Sequence, residues 1–448
     1  MEKEQTGVLK HNVLTLPLLA ICGFVFLAFL FHLFADELSA TAYGLILVFL
    51  ATVFAVSKPI VRKGLPRLYL FIWIAALAVP VIHYLFRCPS KVLLIDGGVL
   101  ICGFILITCF STEPDHYTAA VKVIKGMAFF FCVGALVQGL IPSLYRIIIS
   151  VFPVNLQNSM RTGLSKGIVE GFTTNPGFAA GYITAGVFAV YALTNQNKHE
   201  GKRAFIEVLI LILSLLLVGK RGPFLFMIIT LLIVRILPER GSKWLNRLWI
   251  ALMVLLAVVV LFFIFQDALS QIPLFRRVIL SVQGYLSGED ISSGRSKLTK
   301  WAVQLFRENP LTGIGWSQYK LTTAGNATLT KYLDTHNVYL QLLCETGIIG
   351  FSFFALVFVL SWNLAQKGYC ACIRSNDEKL RKWLPAMTFS LSFQTYFLLY
   401  SLSGNPLYDQ FYQILYGVSC SIAVAYNYVS KGRYKQVNQL SDSAGEVD

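Results

Sequence analysis

Long apolar runs recur along almost the entire chain, and they constrain its fold more than any other feature. Twelve runs of 16 to 23 residues can be distinguished, and only 14% of the 448 residues are charged. A soluble globular protein carries about a quarter charged residues, whereas about 20 apolar residues suffice for a helix that crosses a bilayer. We therefore predict an all-α polytopic membrane protein with transmembrane helices at 13–34, 38–57, 68–87, 92–110, 122–141, 177–194, 204–219, 222–237, 247–266, 345–366, 383–402 and 407–429.

The net charge of +15 is concentrated in short segments between the apolar runs. With a cytoplasmic amino terminus and twelve spans, all of these basic segments fall on one side of the membrane. Short loops rich in Lys and Arg stay in the cytoplasm, so we predict that both termini are cytoplasmic and that nucleic acid is not a partner. The basic segments are 58–67, 198–203, 240–247, 367–382 and 431–435.

This topology leaves two substantial segments outside the cytoplasm, and the larger one is long enough to cover the membrane domain. We predict four parts of the chain. They are nine spans in 1–266 with an outer loop at 142–176, a large extracytoplasmic loop at 267–344, three spans in 345–429, and a cytoplasmic tail at 430–448.

An amphipathic helix is predicted inside the large loop. Leu298, Ala302 and Leu305 recur at helical spacing, and the helix should end at Asn309 because a residue before proline disfavours the helical conformation. Arg295 lies seven residues before Ala302 and projects to nearly the same side. It therefore points towards the membrane domain if the helix begins early enough; an ordinary arginine at a helix start is the alternative.

A basic turn, "GKRG" at 219–222, interrupts a stretch from 204 to 237 that is apolar apart from Glu207 and Arg235. One helix of this length would be about 51 Å long against a hydrocarbon core of about 30 Å, so the chain should reverse here. The topology puts Lys220 and Arg221 on the outer side, against the usual charge bias. They are candidates for binding an anion such as a phosphate, although such a pair can also simply reach the lipid head groups.

His336 stands where the large loop returns to the membrane, in "THNVYLQLLCETGIIGF" at 335–351. The positive end of the following helix dipole favours a neutral imidazole, which is the form that a general base requires. A capping or interface histidine is the alternative. Together with Arg221 and Arg295, this residue forms a candidate site of two cations and one base on the outer face.

The smaller outer loop adds the polar residues Arg161, Lys166, Glu170 and Asn175, of which Arg161 and Asn175 are candidates for substrate binding. Ordinary loop residues without a role in binding are the alternative. No D-x-D motif, Walker A loop or Rossmann glycine pattern occurs, and the six histidines lack metal-ligand spacing. We therefore expect chemistry that uses neither a metal nor a cofactor.

Three stretches in order resemble the O-antigen ligase and polymerase superfamily of bacterial membrane glycosyltransferases. They are "GKRG" at 219–222, "GRSKLTKWAVQLFRENPLTGIGWSQY" at 294–319 and the segment 335–351. The resemblance implies a helical C-type glycosyltransferase fold and a donor glycan on undecaprenyl diphosphate, presented at the outer leaflet of the bacterial cytoplasmic membrane.

The resemblance also implies roles for individual residues. Arg221 and Arg295 would bind the donor diphosphate, and His336 would take the proton from the acceptor hydroxyl in an inverting reaction without metal. In the family a small hydroxyl residue often precedes the arginine of the turn, whereas Lys220 stands there in this chain and is a candidate for a second phosphate contact. Asn337, beside the histidine, is a further candidate for substrate binding.

Two functions within the superfamily fit these features. A polymerase would join oligosaccharide repeat units into a surface polysaccharide, whereas a ligase would transfer the glycan to lipid A core or another acceptor. Expected partners are the lipid-linked oligosaccharide, an acceptor glycan or glycolipid, the bilayer, a flippase and a chain-length regulator. A transporter is the alternative of a different class, because twelve spans with both termini inside are common among carriers, and a structural membrane component is a third.

Overall fold

The computed structural model describes residues 16–30, 49–53, 66–86, 91–194, 201–239, 295–326 and 333–445, together with isolated positions between them. The predicted spans 38–57 and 247–266 and the first part of the large loop lie largely outside these described residues. Within them the chain is helical, with helices α1 Leu16–Leu30, α2 Arg67–Phe86, α3 Lys91–Thr108, α4 Pro114–Leu140, α5 Pro142–Ile148, α6 Val154–Ser165, α7 Pro176–Thr194, α8 Gly201–Val218, α9 Arg221–Ile236, α10 Arg295–Glu308, α11 Tyr319–Ala324, α12 Val338–Arg374, α13 Glu378–Arg381, α14 Leu384–Tyr400 and α15 Gln410–Gly445.

Each apolar run that the structure describes over most of its length contains a helix, although several helices extend beyond the predicted spans. Four helices among the described residues are long and apolar enough to cross a membrane, namely α2, α4, α7 and α12. Two of these begin earlier than the hydropathy indicates. α4 extends back to Pro114, where His116 and Tyr117 are buried, and α12 begins at Val338 because Asn337 caps it. A polar first turn is invisible to hydropathy but is helical when capping and burial support it.

The chain reverses at the basic turn, as the length of the 204–237 stretch predicts. α8 ends at Val218, Gly219 adopts φ +69°, and α9 begins at Arg221. At the far end of α9, the Arg374 guanidinium donates a hydrogen bond to the carbonyl oxygen of Pro238 (2.9 Å). α9 therefore runs back to the place where α12 ends, which is the opposite end of the bundle from the turn.

The start of α12 lies at the same end of the bundle as the basic turn. The Val338 amide donates to the carbonyl oxygen of Ser401 (2.9 Å), just after α14 ends. A side chain at Gly222, in the turn itself, would meet the hydroxyl of Ser403 at 3.0 Å. We call this end of the bundle, which holds residues 219–222, 336–338 and 401–403, the His336 end.

α12 is interrupted at Gly347, whose φ of 64° and ψ of −173° are not helical. The loop after α10 fills the gap, because the amides of Ile348 and Ile349 donate to the carbonyls of Pro310 and Leu311 (2.9 and 3.3 Å). Two amides of the same loop donate in return to carbonyls just before the interruption. The backbone groups released by the interruption are thus satisfied within the protein, as a low-dielectric environment requires.

Replacing Gly347 with alanine should destabilise the protein by about 3 kcal/mol, since a backbone conformation adopted almost only by glycine and an overpacked contact each cost about 1–3 kcal/mol. The new methyl group would lie 2.2 Å from the carbonyl oxygen of Leu311. Thermal unfolding of the purified protein measures the effect. Gly126→Ala is the matched control, because a methyl group there meets nothing within 4 Å. Equal unfolding temperatures for the two variants would contradict the proposed packing.

Candidate active site

His336 is held in a strained backbone conformation. Its φ is +57°, which is uncommon for a residue other than glycine. The turn around it is fixed on both sides, because the Thr335 hydroxyl donates to the carbonyl of Asn337 (2.7 Å) and accepts from the Asn337 amide (3.0 Å). Asn337 in turn caps α12 by accepting from the Leu340 amide (3.0 Å). Strain of this kind clusters at functional sites, and here the surrounding hydrogen bonds determine where the half-buried imidazole lies.

A polar network beneath the turn supports this position. The Gln341 side-chain oxygen accepts from the Thr335 amide (3.2 Å) and from the side chain of Asn405. The Gln341 side-chain nitrogen donates to Asp334 and to Glu345 (both 3.3 Å). The network therefore joins the loop before α12, the first turns of α12 and the segment after α14.

Glu345 is the fully buried centre of this network. Its carboxylate accepts from the amides of Ser317 (2.9 Å) and Tyr319 (3.0 Å) and from the hydroxyl of Tyr408 (2.7 Å). Because a buried charge is costly unless it is well hydrogen-bonded, these contacts fix the loop after α10 against α12. Gln341 and Glu345 were not singled out by the sequence, because their role depends on partners such as Tyr408, more than sixty positions away in the chain.

Arg295 reaches the membrane domain, as its position on α10 predicts. It is the first residue of that helix, and its guanidinium donates to the carbonyl oxygen of Ser403 (3.3 Å). The apolar stripe of α10 is buried, with Leu298, Ala302 and Leu305 all less than 9% exposed. Packing of this stripe turns the first residue of the helix towards the His336 end.

The segment 401–403 contacts all three predicted elements of the site. It accepts a hydrogen bond from Arg295, it lies against the basic turn at Gly222, and it bonds to Val338, two residues after His336. Arg295, the basic turn and His336 are therefore brought together, although they are distant in sequence. The Arg221 side chain is exposed at the start of α9, and Lys220 is partly buried.

The charges around His336 favour a neutral imidazole. Burial lowers the pKa of His336 below its ordinary value, and the Arg295 guanidinium lowers it further. Lys220 and Lys320 act in the same direction, whereas Asp334 opposes them. The direction agrees with the sequence-based expectation. Desolvation is the largest cause, followed by the nearby Arg295 guanidinium.

Lys320 and Asp334 form an ion pair beside the histidine, with 3.0 Å between the Lys320 ammonium and the Asp334 carboxylate. Both residues belong to the site, yet neither falls at a spacing that the sequence marks as functional. Lys320 lies on the short helix α11, and Asp334 follows residues that the structure does not describe. The loop fold alone brings them together.

The remaining candidates have structural contacts. The Asn337 side chain is the helix cap described above, and the Asn175 side chain accepts from the Gly177 amide (2.7 Å) at the start of α7. Arg161 is exposed on α6. Within the part of the chain that the structure describes, no group of three His, Cys, Asp or Glu side chains is close enough to hold a metal ion.

Fold and site together define a helical membrane protein with a histidine and several cations assembled at one end of its bundle. The family model described as O-antigen ligase matches residues 206–355, which include the basic turn, Arg295 and His336. The resemblance to the O-antigen ligase and polymerase superfamily is thereby confirmed over this third of the chain, and the chain is a membrane protein with a segment similar to O-antigen ligases. No curated protein matches the sequence.

Proposed function

We propose that this protein is a membrane glycosyltransferase that polymerises oligosaccharide repeat units carried on undecaprenyl diphosphate into a surface polysaccharide. The observation that carries the proposal is the meeting of His336, Arg295 and the basic turn around the segment 401–403. A neutral base can remove the proton of an acceptor hydroxyl, and fixed cations beside it can stabilise the diphosphate that leaves the donor glycan.

In this mechanism His336 accepts the proton of an acceptor hydroxyl as that oxygen attacks the anomeric carbon of the donor sugar. The bond between this carbon and the diphosphate oxygen breaks, and the electron pair leaves with the lipid diphosphate. A single displacement inverts the anomeric configuration. Arg221, Arg295 and Lys220 stabilise the negative charge of the leaving group, which requires neither a metal nor a cofactor.

The proposed orientation puts the His336 end at the outer leaflet of the bacterial cytoplasmic membrane, with both termini in the cytoplasm. The opposite end carries Arg374 and the basic residues of α13, in agreement with the preference of Lys and Arg for the cytoplasmic side. Donor lipids and acceptor chains would then meet outside the cytoplasm, beneath the large loop.

A ligase is the second candidate, because it would use the same donor and the same three groups with a different acceptor. The family description favours this candidate by name. A transporter fits the structure less well. Carriers bind their cargo at interrupted helices near the midplane, but the backbone groups released at Gly347 are already bonded to the loop after α10.

Sizing the products of the purified protein tests the proposal. The protein is reconstituted in lipid nanodiscs and incubated with undecaprenyl-diphosphate oligosaccharide, with and without an added glycolipid acceptor. A ladder of products without the acceptor is the result expected of a polymerase. Transfer that requires the added acceptor would replace this assignment with a ligase. Absence of both products from the folded protein would overturn the proposal.

A further inference from the structure

A cavity with mainly polar lining residues lies in the loop region between α4 and α7. Its volume is about 360 Å³, at the lower end of the range for small-ligand pockets. None of its residues belongs to the site described above, and none lies in the segment that the family model matches. The cavity is lined by Asn158, Ser159, Thr162, Lys166, Ile168 and Glu170.

Glu170 is the distinctive group of this cavity. It is only 8% exposed, and its Oε2 atom has no hydrogen-bond partner among the described residues. Its backbone is fixed, because the side-chain oxygen of Gln138 accepts from the amides of Glu170 and Gly171 (both 2.7 Å). Oε2 itself is enclosed against α6, so a ligand in the cavity meets this rigidly held carboxyl group through the part of it that lines the cavity.

The cavity depends on a bare backbone at Gly163. A methyl group at this position of α6 would lie 2.6 Å from Oε2 of Glu170. The carboxyl group therefore packs directly against the helix that forms the opposite wall. Because α6 and Glu170 are in contact here, Ser159 and Thr162 of α6 line the same cavity as Glu170.

The lining indicates a neutral ligand rich in hydroxyl groups. A buried carboxyl group repels an anion, which makes the cavity a poor site for a phosphate. Burial raises the pKa of Glu170 to about 7, against the opposing influence of Lys220 and Lys166. Near neutral pH the group can accept or donate, and the other side chains offer hydroxyl, amide and ammonium groups. This set of partners suits the vicinal hydroxyls of a sugar ring.

The end of α4 connects the cavity with the basic turn. Gln138 bonds to the backbone of Ile168 and Glu170, and a methyl group at the next residue, Gly139, would lie 3.1 Å from Leu217, two residues before the turn. A glycan whose diphosphate contacts the basic turn would therefore have its sugars within reach of the cavity.

We propose that this cavity is a glycan subsite in which the Glu170 carboxyl group binds the hydroxyls of one sugar residue of the lipid-linked oligosaccharide. The inference rests on the proposed function, because it takes the substrate to be a diphosphate-linked glycan. It adds a site for sugar recognition outside the matched domain.

Binding of the free oligosaccharide tests the subsite separately from catalysis. The probe is the oligosaccharide released by mild acid from the donor used in the product assay, and binding to the protein in nanodiscs is followed by saturation-transfer NMR. Thr162→Trp should fill the cavity and abolish the signal. Glu170→Gln should weaken binding about tenfold, as expected when a hydrogen bond to a charged group is lost. Val154→Trp is the matched control, because Val154 is 66% exposed and lies on α6 outside the face that lines the cavity, and it should bind as the wild type does.

Kinetics distinguish failure of the subsite from failure of the proposed function. Thr162→Trp should raise the KM for whichever substrate occupies the cavity, donor or acceptor, and leave kcat nearly unchanged. His336→Ala should keep the binding signal and lose turnover. Wild-type binding in both Thr162→Trp and Glu170→Gln, or no binding to the wild type, would overturn the subsite. The proposed function is tested separately by the product ladder of the wild-type protein, which neither of these binding results changes.

Discussion

Replacing His336 with alanine should lower the rate of glycan transfer about 10²- to 10⁴-fold, the range expected for loss of a general base. Alanine must adopt the same φ of +57° as the histidine that it replaces, and the hydrogen bonds of Thr335 and Asn337 continue to hold the turn. The variant should insert and accumulate like the wild type. The rate is measured from the products of the nanodisc assay, with the amount of folded protein as the normalisation.

The dependence of kcat/KM on pH provides the control for this assignment. Because the pKa of His336 lies below its ordinary value of about 6.5, the imidazole is neutral at pH 7. The value of kcat/KM should therefore fall only as the pH drops below the pKa of His336. Glycan of normal length from His336→Ala would show that another group accepts the proton.

Replacing Arg221 or Arg295 with alanine should each lower transfer about 10²- to 10³-fold, because the charge of the departing diphosphate loses a preorganised partner. Lysine at either position should restore only part of the rate, since an ammonium group lacks the planar fork that bonds two phosphate oxygens. Arg307→Ala is the matched control. Arg307 lies on the same helix as Arg295 but is exposed on the face away from the bundle.

Arg295 should also influence the pH profile, which a purely structural residue would not. Arg295→Gln removes a cation that lowers the pKa of His336, so the pKa rises and the inactive protonated form persists to higher pH. Asp334→Asn should shift the profile to lower pH, because Asp334 raises this pKa. If both variants keep the wild-type profile, Arg295 and Asp334 do not act on the catalytic base.

The features that the sequence predicted correctly depend on short stretches of chain. The apolar stripe of α10, its end before Pro310 and the reversal at Gly219 follow from periodicity, proline geometry and the length of a helix. The placement of Arg295 follows as well, because it is a matter of register on one helix. In each case the residues that decide the structure are close together in the sequence.

The features that it did not predict depend on contacts between distant segments. The ion pair of Lys320 with Asp334 and the network around Gln341 and Glu345 need the loop after α10 to pack into the interruption of α12. The cavity at Glu170 likewise needs α6 to pass close to it at Gly163. No spacing rule relates these residues, so no pattern in the sequence marked them as a group.

Taken by itself, the sequence determined the class of this protein. Apolar runs of membrane-spanning length, the bias of Lys and Arg between them, and three short motifs were sufficient, because each is a local property of the chain. Only the tertiary structure decided which groups surround His336 and what lowers its pKa. The burial of His336 and the positive charges of Arg295, Lys220 and Lys320 near it come from segments that are distant in the sequence and come close only when the chain folds.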